Sequence, residues 1–413
     1  MAAICWWIFF SSVFWVADSS PAPDEDLDTV RKENDLPPVI DDDAELTVPQ
    51  LIRKYGYRME SHVVITEDGY ILTMFRIFPR QPVETAKLPV LMVHGLFGSS
   101  ADFVISGPNT SLAYLLADDG YEVWLANVRG TRYSRNHTSM VVESKEYWDF
   151  SWHEIGYYDL PKMIDYILNT TKASKLHYVG HSQGCTVYFA MSGSRSDYND
   201  KIVLMTAMAP AVVVKRVRSP ILRVMLSLAD KIEEILSALN IVELLPYNEN
   251  TYRVAKHVCP PEESNNVCSQ LVGQIAGPHP EMYDQKLGLK YMGHAPAGAS
   301  TKQLSHFTQV ARSGLFRQYD YGKRGNLQTY SDWKPPAYNL NSSLVPVVIF
   351  YGLNDWMVHP RDVQQFSRML PRLVSANVVA DKKFNHLDFI LAKNVRSQVY
   401  DKLIPILNQY SDV

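Results

Sequence analysis

Ser182 stands in the run Gly180-His181-Ser182-Gln183-Gly184. A serine flanked by glycines at this spacing is presented as a nucleophile when the turn leaves a strand and enters a helix. Leu176 to Val179 reads as such a strand, and Cys185 to Met191 as the helical run after it. The glycines remove side chains where the two backbones crowd, and a helix N-terminus below the serine sets amide dipoles under a developing negative charge. The chemistry this arrangement serves is attack by the hydroxyl on an electrophilic carbon. A hydroxyl is a weak nucleophile at neutral pH, so a base oriented by a carboxylate must be found elsewhere in the chain.

Where a strand-turn-helix carries the serine, acid and base follow in the order Ser, then Asp or Glu, then His. Asp355 lies just beyond the apolar strand Val345 to Tyr351, in Tyr351-Gly352-Leu353-Asn354-Asp355, where a strand end would offer a carboxylate. His386 follows the final strand in Phe384-Asn385-His386-Leu387-Asp388-Phe389. Asp362 and Asp388 are alternative carboxylates, but Asp362 falls within a helical run, and sharing a loop with His386 does not give Asp388 a hydrogen bond to it. His181, beside the nucleophile, is displaced from the side a base must occupy, and His359 lies too close to the acid's own loop. An oxyanion needs two backbone donors, one following the nucleophile and one from the loop after the third strand. Gln183 supplies the first, and Leu96, in His94-Gly95-Leu96-Phe97-Gly98, the second, because Gly95 lets that loop turn toward the serine. His153-Glu154 opens like a zinc-helix motif, but Tyr157 stands where the second His would be. With no phosphate-binding Gly-Lys-Ser/Thr pattern either, neither metal nor cofactor is expected.

The elements that must position these residues follow a regular order. Strand-like stretches run over His62 to Thr66, Tyr70 to Ile77, Pro89 to Val93, Tyr121 to Ala126, Leu176 to Val179, Ile202 to Ala207, Val345 to Tyr351 and Ser375 to Ala380. The first two, separated by Glu67-Asp68-Gly69, read as a hairpin. Helical segments between later strands imply a mostly parallel sheet covered on both faces, an α/β fold. The clearest is Asp159 to Leu168, with Leu160, Met163, Ile164, Ile167 and Leu168 on one face and Asp159 expected to cap its start. Residues 211–340 break the rhythm and are too long for a simple connection. They include one long amphipathic helix, with Ile221, Met225, Leu228, Ile232, Ile235 and Leu239 in a stripe that reads as core packing rather than lipid contact. This interval is expected to be a cap inserted between core segments 47–210 and 341–413.

The chain has 413 residues, 46% hydrophobic and 20% charged, with a net charge of -4. That leaves no electrostatic case for nucleic acid. Met1 to Val16 carries an apolar stretch too short to span a bilayer, and residues 1–20 read as a signal peptide although the basic start is missing. No transmembrane anchor is then expected after processing. An acidic, Pro-containing segment follows, completing residues 21–46. Sequons begin at Asn109, Asn136, Asn169 and Asn341, and a disulfide could close the short loop between Cys259 and Cys268. These features favour an oxidising compartment, secreted or lysosomal. Cys185, just past the nucleophile motif, reads as a small buried apolar residue.

Many short runs carry a resemblance: Tyr55-Gly56-Tyr57, Thr66-Glu67-Asp68-Gly69-Tyr70, His94-Gly95-Leu96, Asn127-Val128-Arg129-Gly130, and Phe150-Ser151-Trp152-His153-Glu154-Ile155-Gly156. Asp159-Leu160-Pro161, the Ser182 motif, Leu353-Asn354-Asp355-Trp356 and Asn385-His386-Leu387-Asp388-Phe389 continue it in order. With these, the chain resembles the acid lipase family, which includes gastric lipases, lysosomal acid lipase and many insect digestive lipases, from about Val48 to Leu407. The resemblance implies an α/β-hydrolase fold with an inserted, mainly helical cap and lid. It also implies Ser182, Asp355 and His386 as nucleophile, acid and base, and a disulfide like Cys259 to Cys268. The expected substrate is a lipid ester, triacylglycerol or cholesteryl ester, met at a micelle, droplet or membrane interface. Cys185 departs from the Thr common at that place in the family. A lipid acyltransferase and a catalytically silent lipid-binding protein are the rival readings.

Overall fold

The computed structural model describes residues 43–81, 87–259 and 267–411. The expected signal peptide and nearly all of the acidic segment lie outside these residues. Eleven strands are formed among them: β1 (Met59–Ile65), β2 (Tyr70–Ile77), β3 (Val90–Val93), β4 (Val123–Ala126), β5 (Asn136–His137), β6 (Leu176–His181), β7 (Ile202–Met208), β8 (Glu243–Leu244), β9 (Ala299–Ser300), β10 (Val347–Tyr351) and β11 (Leu373–Val378). The main sheet runs β1-β2-β4-β3-β6-β7-β10-β11, with β5 paired to β2. β1 and β2 form the expected antiparallel hairpin, β2 pairs β4 antiparallel, and every pairing from β4 to β11 is parallel. This is the mostly parallel α/β sheet implied by strands alternating with helices. Strand limits shift by a few residues from those expected, most at the N-terminus of β1.

The central strands are buried along their whole length, since helices cover both faces. Leu91 and Val93 of β3 join one apolar cluster with Trp124 and Tyr178, whereas Val90 and Met92 join a second with Val123, Leu125 and Val179. The period-2 alternation of a strand thus feeds two cores from one apolar run. Because β4 lies on one side of β3 and β6 on the other, the loops leaving β3 and β6 diverge at the carboxyl edge of the sheet.

Three expectations are corrected. Asp159 does not cap the helix over Leu160–Thr171; it closes a π-helical turn (Ile155–Asp159) and makes no capping bond. Its carboxylate instead takes the Arg129 backbone N–H at 3.0 Å and the Arg129 Nε at 2.7 Å. The stretch from Ile221 to Leu239 forms two helices, Pro220–Ser227 and Ala229–Ala238, rather than one. Near the break, Ser227 Oγ donates to the Val224 carbonyl at 2.8 Å, a local bond that competes with helix geometry. Its apolar stripe is not core: Ile221, Met225 and Ile232 are half-buried, while Leu228, Ile235 and Leu239 are exposed.

Residues 211–340 contribute no strand to the main sheet; among the described residues they hold helices and the two-residue pair β8-β9. The start of the described chain is seated on them. Asp43 accepts from Lys54 Nζ, Tyr55 Oη and Lys290 Nζ at 2.8, 2.5 and 2.8 Å, and its backbone carbonyl accepts from His294 Nε2 at 3.0 Å. Burial opposes the Asp43 charge, but these donors outweigh it and lower its pKa to about 2.

Arg129 is buried at the junction of three elements. Its guanidinium forks onto Asp68 in the β1-β2 turn at 2.6 and 2.9 Å, binds Asp159, and lies 3.9 Å from the centre of the Tyr70 ring. Burial opposes the charge, yet the attraction of Asp159 and the bonds from Asp68 raise the guanidinium pKa further. Removing one partner of such a network strands buried charge. Arg129→Ala should therefore lower the unfolding free energy by about 3–5 kcal/mol, read as a fall in the urea midpoint; an unchanged midpoint would show that the network adds nothing.

Candidate active site

Ser182 sits between β6 and the helix Gln183–Ser194 with φ 53° and ψ -115°, a conformation that L-residues adopt at a cost. Packing imposes it. A Cβ on Gly180 would lie 2.8 Å from the Gly184 carbonyl carbon, and one on Gly184 would overlap the Val93 backbone carbonyl. The turn is pinned by Ser182 N donating to the Met208 carbonyl at 2.9 Å and by Tyr178 Oη donating to the Gly184 carbonyl at 2.8 Å. Cys185, buried as expected, donates its Sγ to the Gly180 carbonyl at 3.2 Å, and burial raises its thiol pKa far above the usual range. It is therefore held as a neutral thiol.

Asp355 follows β10 by four residues and is buried. Its Oδ1 accepts from the backbone N–H groups of Met357 and Val358 at 2.9 and 2.7 Å, which fixes the carboxylate and leaves Oδ2 for a side-chain donor. His386 lies beyond β11 in the turn Asn385–Asp388. Its Nδ1 is 2.8 Å from Asp355 Oδ2, and its Nε2 is 2.8 Å from Ser182 Oγ. Three residues from three loops thus form one chain of hydrogen bonds, with Ser182 slightly exposed and its two partners nearly enclosed.

The alternatives are occupied elsewhere. Asp362 accepts from the Arg216 backbone N–H at 2.7 Å and pairs with its guanidinium. Asp388 binds His279 at 2.7 Å. His181 Nε2 donates to the His386 carbonyl at 3.1 Å, and burial followed by the nearby His386 lowers its pKa to about 3, so it stays neutral. His359 accepts from Arg361 N at 3.1 Å as a helix cap. His153 meets Tyr338 Oη at 2.8 Å, and Glu154 completes a capping box with Ser151.

The loop after β3 passes close to the serine, since a Cβ on Gly95 would lie 3.2 Å from Ser182 Cβ. The loop that carries Leu96 thus runs beside Ser182, and Gln183 follows Ser182 directly as the first residue of the helix. Residues 211–340 bind Phe97, next to Leu96, and Gln183 itself. Ala297 N donates to the Phe97 carbonyl at 2.8 Å, and Gln183 Nε2 donates to Gln303 Oε1 at 2.7 Å. Cys259 and Cys268 are joined by a disulfide with Cα atoms 5.8 Å apart. Asn109, Asn136, Asn169 and Asn341 are all exposed.

Sequence reasoning missed Asp102, Tyr291 and Gln303. Asp102 supports the loop after β3, its Oδ1 accepting from Tyr291 Oη at 3.0 Å and Ser99 N at 3.4 Å. The Ser99-x-x-Asp102 capping-box spacing was the available signal. Tyr291 and Gln303 come from far along the chain and carry no local pattern.

The sheet order, the tight turn after β6 and the loops gathered at the carboxyl edge define an α/β-hydrolase. Residues 48–107 match the family model described as a partial α/β-hydrolase lipase region, and residues 89–238 match that of the α/β hydrolase fold. Lipase 1 of Drosophila melanogaster is 44% identical over 371 residues, covering 90% of this chain and 81% of its own. Lipase member K of Homo sapiens is 32% identical, with 99% and 98% covered, and human gastric triacylglycerol lipase is 33% identical, with 89% and 92% covered. A crystal structure of a soluble variant of monoglyceride lipase from Saccharomyces cerevisiae superposes with a TM-score of 0.52 at 16% identity, covering 86% of this chain and 99% of that one, a likeness of fold. The chain belongs to the acid lipase family and is a carboxylic ester hydrolase.

Asp102 gives the site a pH-dependent support. Burial raises its pKa to about 7 against the lowering effect of Tyr291 and the loop N–H groups. The folded value lies above the unfolded one, so the unfolded state binds fewer protons between about pH 4 and 7, and stability falls as pH rises through that window. Asp102→Asn removes this loss. Its melting temperature relative to wild type should rise from pH 4 to pH 7, by about 2–4 °C per kcal/mol relieved; a pH-independent difference would contradict the assignment.

Proposed function

We propose that the protein is a secreted or lysosomal serine lipase that cleaves carboxylic esters of lipids, triacylglycerol or cholesteryl ester, through an acyl-enzyme. The observation that carries this reading is the Ser182–His386–Asp355 chain, with 2.8 Å at each link. Ser182 Oγ attacks the ester carbonyl while His386 Nε2 takes its proton. Asp355 holds the imidazole with Nδ1–H toward the carboxylate and stabilises the imidazolium. The amides of Leu96 and Gln183 bind the oxyanion, a contribution worth about 100- to 1000-fold per donor. His386 returns the proton to the departing alcohol, then activates a water that releases the fatty acid.

A relative at 33% identity acts on triacylglycerol, which supports an acylglycerol substrate here. Residues 211–340 are proposed as a cap, because they bind the loop after β3 through Ala297 and the helix after Ser182 through Gln303. Among the described residues no helix is long and apolar enough to cross a membrane. The disulfide and the four exposed sequon asparagines support passage through an oxidising, glycosylating compartment.

Ser182→Ala should reduce ester hydrolysis by about 10,000-fold or more while leaving the melting temperature near that of wild type. Full activity in that variant would remove the serine mechanism. Triacylglycerols, cholesteryl esters and short-chain esters assayed side by side separate the lipid classes. Hydrolysis confined to short-chain soluble esters would reject the lipase reading.

A further inference from the structure

The short segment Ala276 to His279, within residues 211–340, touches both the loop that carries Asp355 and the turn that carries His386. Trp356 N donates to the Ala276 carbonyl at 3.0 Å, and Asn354 Nδ2 donates to the Pro278 carbonyl at 2.9 Å. Asn385 Nδ2 donates to the Gly277 carbonyl at 2.7 Å. Gly277, at φ 116°, has no room for a Cβ against the Asn354 carbonyl. His279 ends the segment. It is buried, with Nδ1 2.7 Å from Asp388 Oδ2 and Nε2 3.4 Å from Asp381 Oδ2. The same Asp388 oxygen accepts from Asn385 N at 2.7 Å, and Asn385 Oδ1 accepts from the N–H groups of Leu387 and Asp388 at 2.9 and 3.1 Å. The turn bearing His386 is therefore gripped on one side by His181 and on the other by His279.

We propose that His279 is a positioning residue for acyl transfer, holding through Asp388 the turn that aims His386 between Ser182 and Asp355. This rests on the proposed roles of those three residues. A base must stay within hydrogen-bond reach of two partners at once, and a displacement of about 1 Å costs about 100-fold in rate. An imidazole facing carboxylates through both nitrogens donates to both only when protonated.

The groups facing His279 are Asp388 on the His386 turn, Asp381 on the loop after β11, and Glu281 on its own segment, the last paired with Lys383 at 2.5 Å. Burial alone would lower the imidazole pKa, but the Asp388 hydrogen bond and the surrounding carboxylates raise it above 6.5 overall. The grip is complete below about pH 6.5 and weakens as pH rises through the higher folded value. At the acid end it is bounded by Asp388, whose pKa burial raises from 3.8.

The test compares His279→Ala and His279→Gln with wild type on a soluble short-chain ester from about pH 4 to 9, with kcat and KM separated. At about pH 5–6, His279→Ala should lose on the order of tenfold in kcat with KM within about twofold. That deficit should shrink toward alkaline pH, where wild-type His279 is itself neutral. His279→Gln, which keeps a donor without the charge, should regain part of the lost kcat. A deficit constant across pH, or an unchanged kcat with only a lower melting temperature, would overturn the proposal. Should His279→Ala fail to fold, Asp381→Asn leaves the Asp388 bond in place and should move the alkaline fall in kcat to lower pH; an unmoved profile counts against the proposal. Ser182→Ala run alongside keeps the two readings apart, since turnover there would sink the serine mechanism whatever the His279 variants do.

Discussion

Three backbones meet behind Ser182 with no space between them. The β3 strand end at Val93, the β6 strand end at Gly180 and the first turn of the following helix at Gly184 approach so closely that a single Cβ would push them apart. Ser182 is driven to positive φ by this crowding rather than by anything its own side chain does. Parallel pairing of β3, β6 and β7 sustains the strain, because Met208 on β7 supplies the acceptor for the Ser182 amide. The loop after β3 runs tightly past the serine at Gly95, where a Cβ would lie 3.2 Å from Ser182 Cβ. Asp355 and His386 arrive from the carboxyl ends of β10 and β11 at the same edge, so the hydrogen-bonded chain inherits its geometry from sheet order.

That dependence explains what could be read from the sequence. Ser182 directly follows a strand, Asp355 and His386 lie in the loops a few residues beyond theirs, and strand, turn and order are local properties. The parallel sheet followed from strands alternating with helices, and the hairpin from Glu67-Asp68-Gly69. Local reading failed where a partner is remote. Asp159 has the composition of a helix cap, but Arg129, thirty residues earlier, offers a buried guanidinium that competes for the carboxylate and wins. Asp388 was weighed as an acid for His386 when its partner is His279, 109 residues away in another part of the chain. The stripe from Ile221 to Leu239 has the period of a packed helix, but periodicity does not say whether anything lies opposite. Here much of it faces outward.

Residues 211–340 touch the supports of the site at several points. They reach the loop after β3 through Ala297 and Tyr291, the helix below Ser182 through Gln303, and the acid and base loops through the Ala276–His279 segment. Each contact falls on a backbone or side chain one or two steps removed from the reacting groups. A change in how these residues pack would be felt at the hydroxyl without any alteration of the three residues themselves. Buried histidines beside the site, His94 and His181, are kept neutral by desolvation and add no positive charge beside the proposed base, His386.

The seat of Asp43 on Lys54, Tyr55 and Lys290 has a practical meaning for anyone shortening the chain. A Cβ on Gly293 would overlap the Ala44 carbonyl, so the backbone after Asp43 lies directly against Gly293. Removing Asp43 would leave two lysines without their common anion, and Tyr55 Oη and His294 Nε2 without their acceptor. Asp43 thus works as a shared counter-ion that ties Lys54 and Tyr55 to Lys290, far apart in the chain.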